Sequence, residues 1–154
     1  MNITVYLGAK EGNDPALKRA VQELGQWIGQ SGNALVYGVE TTLFMQDDLQ
    51  YDGLTELIVT ETITERKTEM IRRGDAFIAF PGGTGTLEEI AEVMSKVSLK
   101  QLDAPCILYN LNGYYNGLKT LLDHMIETGL STKERQEGIW FAENLEQIKQ
   151  ILKA

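Results

Sequence analysis

A glycine-rich run followed by two glutamates is the most chemically suggestive stretch of the sequence. It reads AFIAFPGGTGTLEEI from Ala76 to Ile90. Gly82, Gly83 and Gly85 would let the chain turn sharply out of a strand and bring backbone N–H groups near a ligand, with no Cβ in the way. The first amides of a following helix lack intrahelical partners and lie at the positive end of the helix dipole, which suits a phosphate. The run therefore predicts an anion cradle at a strand-to-helix junction.

The glycines alone have a simpler explanation, which is a tight turn between a strand and a helix that Thr84 or Thr86 could cap. The run matches neither the dinucleotide fingerprint G-x-G-x-x-G nor the P-loop G-x-x-x-x-G-K-[ST]. Carboxylates follow at once, at Glu88 and Glu89. One glutamate is explained by the helix dipole. A second, beside a bound sugar phosphate, could hydrogen-bond ribose hydroxyls, stabilise positive charge on the ring or orient a water molecule.

The helix predicted before this run supplies the complementary charge. In TITERKTEMIRRG the apolar stripe is formed by Ile63, Met70 and Ile71, with Lys67 near its middle and Arg66 near its edge. Both cations are therefore expected to face inwards, where they could bind a phosphate or a leaving group. The alternative is that both side chains run along the apolar surface and hold their charged ends in solvent.

Length, charge and cysteine content limit the class of protein. The 154 residues suit a single domain, residues 1–154. A net charge of −8 argues against nucleic acid as a partner, because a nucleic-acid surface needs a dense basic stripe, and it favours a small molecule held by a local anion site. No apolar run approaches the roughly 18 residues of a spanning helix, so no membrane partner is expected. Cys106 has no companion cysteine, which predicts a buried, reduced thiol and a cytoplasmic location.

Short apolar runs alternate with longer amphipathic ones along the whole chain. This alternation predicts an α/β fold, a Rossmann-like doubly wound parallel sheet with helices on both faces. Ligands of such sheets bind beyond the carboxyl ends of the strands. The strand exits YLGAKEGND, VYGVETT and AFPGGTGT are therefore the expected places for chemistry.

The stretch ERKTEMIRRGDAFIAFPGGTGTLEEI, with its Arg-Lys pair followed by P-G-G-x-G-T-x-x-E, closely resembles the Lonely Guy family of cytokinin-activating phosphoribohydrolases. The runs YLGAKEGNDP, GNALVYG, DGLTELIV and PCILYNLNGYYNGLKTLLDHMIETG extend the resemblance over most of the chain. It implies a Rossmann-like homodimer that hydrolyses the N-glycosidic bond of a nucleoside 5′-monophosphate, AMP or an N6-substituted AMP. The products would be the free base and ribose 5-phosphate, and neither a metal nor an organic cofactor is implied.

The resemblance also implies roles for individual residues. Arg66 and Glu89 would be catalytic, with Glu89 serving the ribose and the reaction centre. The phosphate would be held by the glycine-rich run, that is Gly83, Thr84, Gly85 and Thr86, with Gly82 in its turn. Other positions fall in family binding runs or align with family ligands, namely Lys67, Glu88, Asp48 and Ser95, where Ser95 replaces a threonine. The lysine decarboxylase label that such proteins often carry has no support, because no lysine here has a pyridoxal-phosphate context.

The chain departs from the family between Gly38 and Val39. Relatives carry there a second glycine-rich run, a helix and a strand. Either this segment is missing from the sequence as written, which the cost of excising a central βα unit favours, or the chain is a shortened and inactive member. Loss of the unit should expose apolar surface. The second possibility motivates an alternative function, a carrier that binds a nucleotide or a molybdenum cofactor without turnover.

Overall fold

The structure is a computed structural model, which describes residues 1–8, 10–37, 40–41 and 58–153. Its strands are β1 (Asn2–Tyr6), β2 (Ala34–Val36), β3 (Glu40–Thr41), β4 (Val59–Thr60), β5 (Ala76–Ala79), β6 (Cys106–Tyr109) and β7 (Ile139–Ala142). Its helices are α1 (Pro15–Gln30), α2 (Ile63–Arg73), α3 (Thr84–Ser98), α4 (Asn116–Glu127), α5 (Lys133–Gln136) and α6 (Leu145–Lys153). A short 3-10 turn, Leu111–Gly113, follows β6.

Five of these strands form one parallel sheet in the order β2-β1-β5-β6-β7. The predicted α/β Rossmann-like fold is confirmed. The chain places β2 on one side of β1 and β5 on the other, so the strand order reverses at β1. Because the strands are parallel, the loops after β1, β5 and β6 emerge at the same edge of the sheet. Strands β3 and β4 pair with each other in a separate two-stranded sheet.

The core lies on both faces of the main sheet. Strand β5 is buried throughout and sends alternate side chains to opposite faces, Phe77 and Ala79 to one and Ile78 to the other. Helices α2, α3 and α4 cover the first face, and α1 and α6 cover the second. The buried residues of α3 recur with the helical spacing of an amphipathic element, at Ile90, Val93, Met94 and Val97. In the parts of the chain that the structure describes, no helix is long and apolar enough to cross a membrane.

Helix α2 begins at a capping box formed by Thr62 and Glu65. The Thr62 hydroxyl accepts a hydrogen bond from the Glu65 amide, and the Glu65 carboxylate accepts one from the Thr62 amide. This capping box satisfies two amides that would otherwise lack partners. It also sets where α2 begins, and the buried Met70, four residues after Arg66, places Arg66 on the inward side of the helix.

Strand β2 forms one edge of the described sheet and leaves apolar side chains exposed. It pairs with β1 only as far as Thr4 and Val36. Leu35 and Tyr37 each keep 42% of their surface exposed. The expectation that loss of the family's βα unit exposes apolar surface stays a prediction. The departure itself, between Gly38 and Val39, lies outside the described residues, as does Asp48.

Candidate active site

A cavity of about 1050 Å³ opens at the carboxyl edge of the sheet. Its walls are the loops after β1, β5 and β6, which include Lys10, Gly83 and Asn112. Arg66 of α2 and Glu89 of α3 complete it. The cavity therefore lies where the parallel topology predicts a ligand site, next to the reversal of strand order at β1.

The glycine-rich loop has one glycine that packing requires and two that it does not. A Cβ on Gly82 would lie 2.4 Å from Oγ1 of Thr86, so no larger residue fits there without movement. A Cβ on Gly83 or Gly85 would meet nothing within 4 Å. Both of these residues line the cavity. Their lack of a side chain keeps the backbone amides reachable from the cavity.

The N-terminus of α3 is left without a side-chain cap, which corrects one expectation from the sequence. Helix α3 begins at Thr84, and its N-cap residue is Gly83, so neither Thr84 nor Thr86 caps it. The Thr86 side chain is buried against Gly82 instead. Among the described residues, the amides of Thr84, Gly85 and Thr86 have no hydrogen-bond acceptor. These amides and the helix dipole can therefore receive an anion.

Two tyrosines hold the glycine-rich loop from the side of α4. The Tyr115 hydroxyl donates a hydrogen bond to the carbonyl of Phe80 at 2.6 Å, and the Tyr114 hydroxyl donates one to the carbonyl of Gly82 at 2.5 Å. Burial raises the pKa of Tyr115, so its hydroxyl remains a donor at neutral pH. Sequence reasoning missed both residues. The signal was present, because they follow β6, which is another strand exit.

Arg66 and Glu89 form an ion pair between α2 and α3. Their side chains are only 22% and 13% exposed, so the prediction that Arg66 faces inwards is confirmed. Tyr6 is buried behind the pair, and burial followed by the charge of Glu89 raises the pKa of its hydroxyl. The guanidinium thus holds one carboxylate oxygen of Glu89 in a defined place at the wall of the cavity.

Lys67 also faces inwards, but towards carboxylates of α3 rather than towards the cavity. Its ammonium contacts Glu88 and lies 3.2 Å from Glu92. The hydrogen bond to Glu88 raises the pKa of Lys67. Glu88 lines the cavity, whereas Lys67 is not among the described residues that line it. Ser95 is exposed on α3 and does not line the cavity either.

A second cavity of about 420 Å³ meets the first at Arg66 and Glu89. Its described walls are mostly apolar and include Val21 and Leu24 of α1 and Leu35 of β2. The ion pair is therefore shared by the cavity that holds the open amides of α3 on one side and by a mostly apolar cavity on the other. A ligand with a charged end and an apolar end would meet the pair near its middle.

Comparison with known proteins identifies the family. A family model described as "Possible lysine decarboxylase" matches residues 15–152. The cytokinin riboside 5'-monophosphate phosphoribohydrolase LOG4 of Arabidopsis thaliana is 42% identical over 158 residues, which cover 87% of this chain and 74% of that protein. The chain belongs to the Lonely Guy family. The resemblance that the motif residues predicted is thereby confirmed.

Two further Lonely Guy proteins show how far the similarity extends. A probable cytokinin riboside 5'-monophosphate phosphoribohydrolase of Oryza sativa subsp. japonica is 33% identical over 150 residues, covering 82% of this chain and 65% of its own length. The cytokinin riboside 5'-monophosphate phosphoribohydrolase of Rhodococcoides fascians is 29% identical over 169 residues, covering 94% of this chain and 85% of its own. This Lonely Guy chain thus spans 65% of the rice protein.

The alignment with the Arabidopsis protein contains gaps in this chain. The alignment with the Arabidopsis protein extends over 158 residues, more than the 154 residues of this chain, yet it includes only 87% of the chain. It must therefore contain positions at which this Lonely Guy chain has no residue.

Proposed function

We propose that this protein hydrolyses the N-glycosidic bond of a nucleoside 5′-monophosphate, AMP or an N6-substituted AMP, and releases the free base and ribose 5-phosphate. The observation that carries the proposal is the Arg66–Glu89 pair at the wall of a cavity whose floor is the uncapped N-terminus of α3. The relatives named above are phosphoribohydrolases of cytokinin riboside 5'-monophosphates, which supports the same reaction class here.

The phosphate would be held by the open amides at the start of α3, with the glycines at positions 83 and 85 leaving room for it. Fixing the phosphate also fixes the ribose, because only a few bonds separate the two. Glu89 is the sixth residue of the same helix, within its second turn, so its carboxylate would lie near the sugar rather than near the phosphate. Gly82, Gly83, Thr84, Gly85, Thr86 and Glu88 therefore remain proposed contacts of the substrate.

Cleavage of the bond between C1′ and the base nitrogen leaves positive charge on the ribose ring. A carboxylate beside the ring stabilises that charge in the transition state more than it stabilises the neutral ground state. Glu89 fits this role, and Arg66 fixes the direction of its carboxylate. Water then bonds to C1′, and the proton that it loses balances the one that the departing base gains. The apolar second cavity beside Glu89 suits an apolar substituent on the base.

The test is to incubate the protein with AMP and, separately, with N6-isopentenyl-AMP, and to measure free base and ribose 5-phosphate. We expect both products from at least one substrate. The Arabidopsis relative serves as the positive control and the Glu89→Gln variant as the negative one. If the control is active and this protein forms no product from either substrate, the enzymatic proposal is wrong.

A carrier that binds a nucleotide or a molybdenum cofactor without turnover is the second candidate. The exposed Leu35 and Tyr37 favour it, because both line the second cavity next to the departure from the family pattern. Calorimetry separates the two functions. Tight nucleotide binding with base release at background would support the carrier.

We also propose one domain, residues 1–154, that lacks a family segment between Gly38 and Val39. The positions without a counterpart in the Arabidopsis alignment support this. The mass of the protein isolated from its natural source, compared with 17.2 kDa, tests whether the segment is truly absent.

A homodimer is proposed as well, because Leu87 and Leu99 of the α3 region are about half exposed. Sedimentation would test it. The buried thiol of Cys106 is compatible with the proposed reducing cytoplasm.

A further inference from the structure

A phosphate in this cavity needs a positive side chain, and the obvious candidates are already engaged. Arg66 is paired with Glu89, and Lys67 is held by Glu88 and Glu92. Lys67 is also absent from the described lining of the cavity. Moving either cation to a phosphate would leave a carboxylate of α3 without its partner, next to an incoming anion.

Lys10 differs from both of these cations. It lines the cavity and, among the described residues, has no carboxylate within ion-pair distance. Its acidic neighbours in the chain are otherwise occupied. Glu11 pairs with Lys18, and Asp14 accepts hydrogen bonds from the amide of Ala16 at 2.8 Å and from the side chain of Asn112 at 2.7 Å.

The loop that carries Lys10 is packed directly against the glycine-rich loop. A Cβ on Gly8 would lie 3.4 Å from Cα of Gly82, 3.8 Å from the amide nitrogen of Gly83 and 4.0 Å from the carbonyl oxygen of Lys10. The two loops therefore touch at the start of the anion cradle. A lysine side chain is long and flexible enough to reach from this position over the first turn of α3.

The charges that line the cavity also favour Lys10 as the group that binds a phosphate. The described lining carries three carboxylates, Asp14, Glu88 and Glu89, against two cations, Arg66 and Lys10. The whole chain has a net charge of −8, so long-range attraction cannot draw a phosphate into the cavity. Lys10 is a local positive charge with no carboxylate partner among the described residues, so it is the group best able to attract the phosphate.

We propose that Lys10 is the side chain that neutralises the substrate's phosphate, and that Lys67 instead holds Glu88 without contacting the phosphate. This inference rests on the proposed function for the identity of the ligand. It concerns binding, however, and can be tested without turnover.

The experiment measures binding of AMP, ribose 5-phosphate and adenosine by calorimetry to the wild type and to Lys10→Gln, Lys10→Arg, Lys67→Gln and Lys119→Gln. Lys119→Gln is the matched control, because it removes one charge from an exposed lysine of α4 that does not line the cavity and has no ion pair among the described residues. We expect Lys10→Gln to weaken AMP and ribose 5-phosphate about tenfold, which corresponds to roughly 1.4 kcal/mol. Adenosine binding should stay unchanged, and Lys10→Arg should retain most of the affinity.

Lys119→Gln should bind both phosphate ligands within about twofold of the wild type, since it removes no charge near the cavity. Lys67→Gln leaves Glu88 without its partner at the cavity wall, so it should weaken both phosphate ligands, but by less than Lys10→Gln does. Wild-type affinity in Lys10→Gln would overturn the inference, and so would a larger loss in Lys67→Gln than in Lys10→Gln. A wild type that binds no phosphate ligand would overturn it together with the anion cradle. Binding that depends on Lys10 in a protein that releases no base would support the inference and remove only the enzymatic proposal.

Discussion

The two kinds of glycine in the loop after β5 make opposite predictions about stability and binding. A methyl group at Gly82 would lie 2.4 Å from Oγ1 of Thr86, which is buried. A methyl group at Gly85 would enter open space inside the cavity. Gly82→Ala should therefore damage the fold, whereas Gly85→Ala should damage only the site.

The expected magnitudes follow from these contacts. Overpacking of this kind costs about 1–3 kcal/mol of the free energy of unfolding, which for a domain of this size lowers Tm by roughly 2–12 °C. Gly85 is the second residue of α3, where alanine is the better helix former, so Gly85→Ala should leave the free energy of unfolding unchanged or raise it by up to about 1 kcal/mol. Blocking one charge-assisted hydrogen bond to phosphate should weaken AMP by about 1.5–3 kcal/mol, or roughly 10- to 150-fold.

Differential scanning fluorimetry and calorimetry with AMP measure the two quantities on the same samples. Gly85→Ala that binds AMP as tightly as the wild type would show that the amides of α3 do not hold the phosphate. Gly82→Ala with an unchanged Tm would show that Thr86 can move away, and that the glycine is not required by packing.

Three further changes test other parts of the site. Glu89→Gln should lower kcat for base release by about 10²- to 10³-fold while AMP still binds, because it removes the negative charge that the proposed function places beside the ribose; equal losses of rate and binding would contradict the assigned role. Tyr115→Phe should lower the free energy of unfolding by about 1–3 kcal/mol, seen as a lower Tm, because the carbonyl of Phe80 loses its donor; an unchanged Tm would mean that the hydroxyl is dispensable. Cys106 is fully buried and burial raises its pKa, so a disulfide reagent at pH 8 should label no thiol in the native protein and one thiol in urea; rapid native labelling would contradict the burial.

Local patterns in the sequence were sufficient for part of this site. The helical period of α2 correctly directed Arg66 and Lys67 inwards, because the buried Met70 fixes the rotation of the helix against the sheet. The same pattern placed Ile63 in the buried stripe, yet Ile63 is half-exposed. Ile63 is the first residue of α2 and lies at the rim of the cavity, beyond the edge of the sheet. Nothing among the described residues covers it fully there.

Contacts between distant segments were not predictable in the same way. Lys67 and Glu88 are separated by a strand and a loop, so no local period pairs them. The hydrogen bond from Tyr115 to Phe80 joins residues 35 positions apart, and it exists only because β5 and β6 are neighbours in the sheet. The neighbouring loops after β1 and β5 likewise depend on the pairing of their strands. Strand order has to be known before such partners can be assigned.

In the proposed reaction, the position of the Arg66–Glu89 pair between two cavities would link binding to the choice of bond that is cleaved. A nucleotide whose phosphate rests on the first amides of α3 has its charged end in the loop-walled cavity, and its base must then point away from those amides. The apolar cavity begins at the same ion pair and extends along α1. The ribose would lie between the two ends, beside Glu89, and the bond that leaves the ribose towards the base would be the one nearest the carboxylate. A substrate without its phosphate could slide along this path, so we expect adenosine to lose rate as well as affinity relative to AMP.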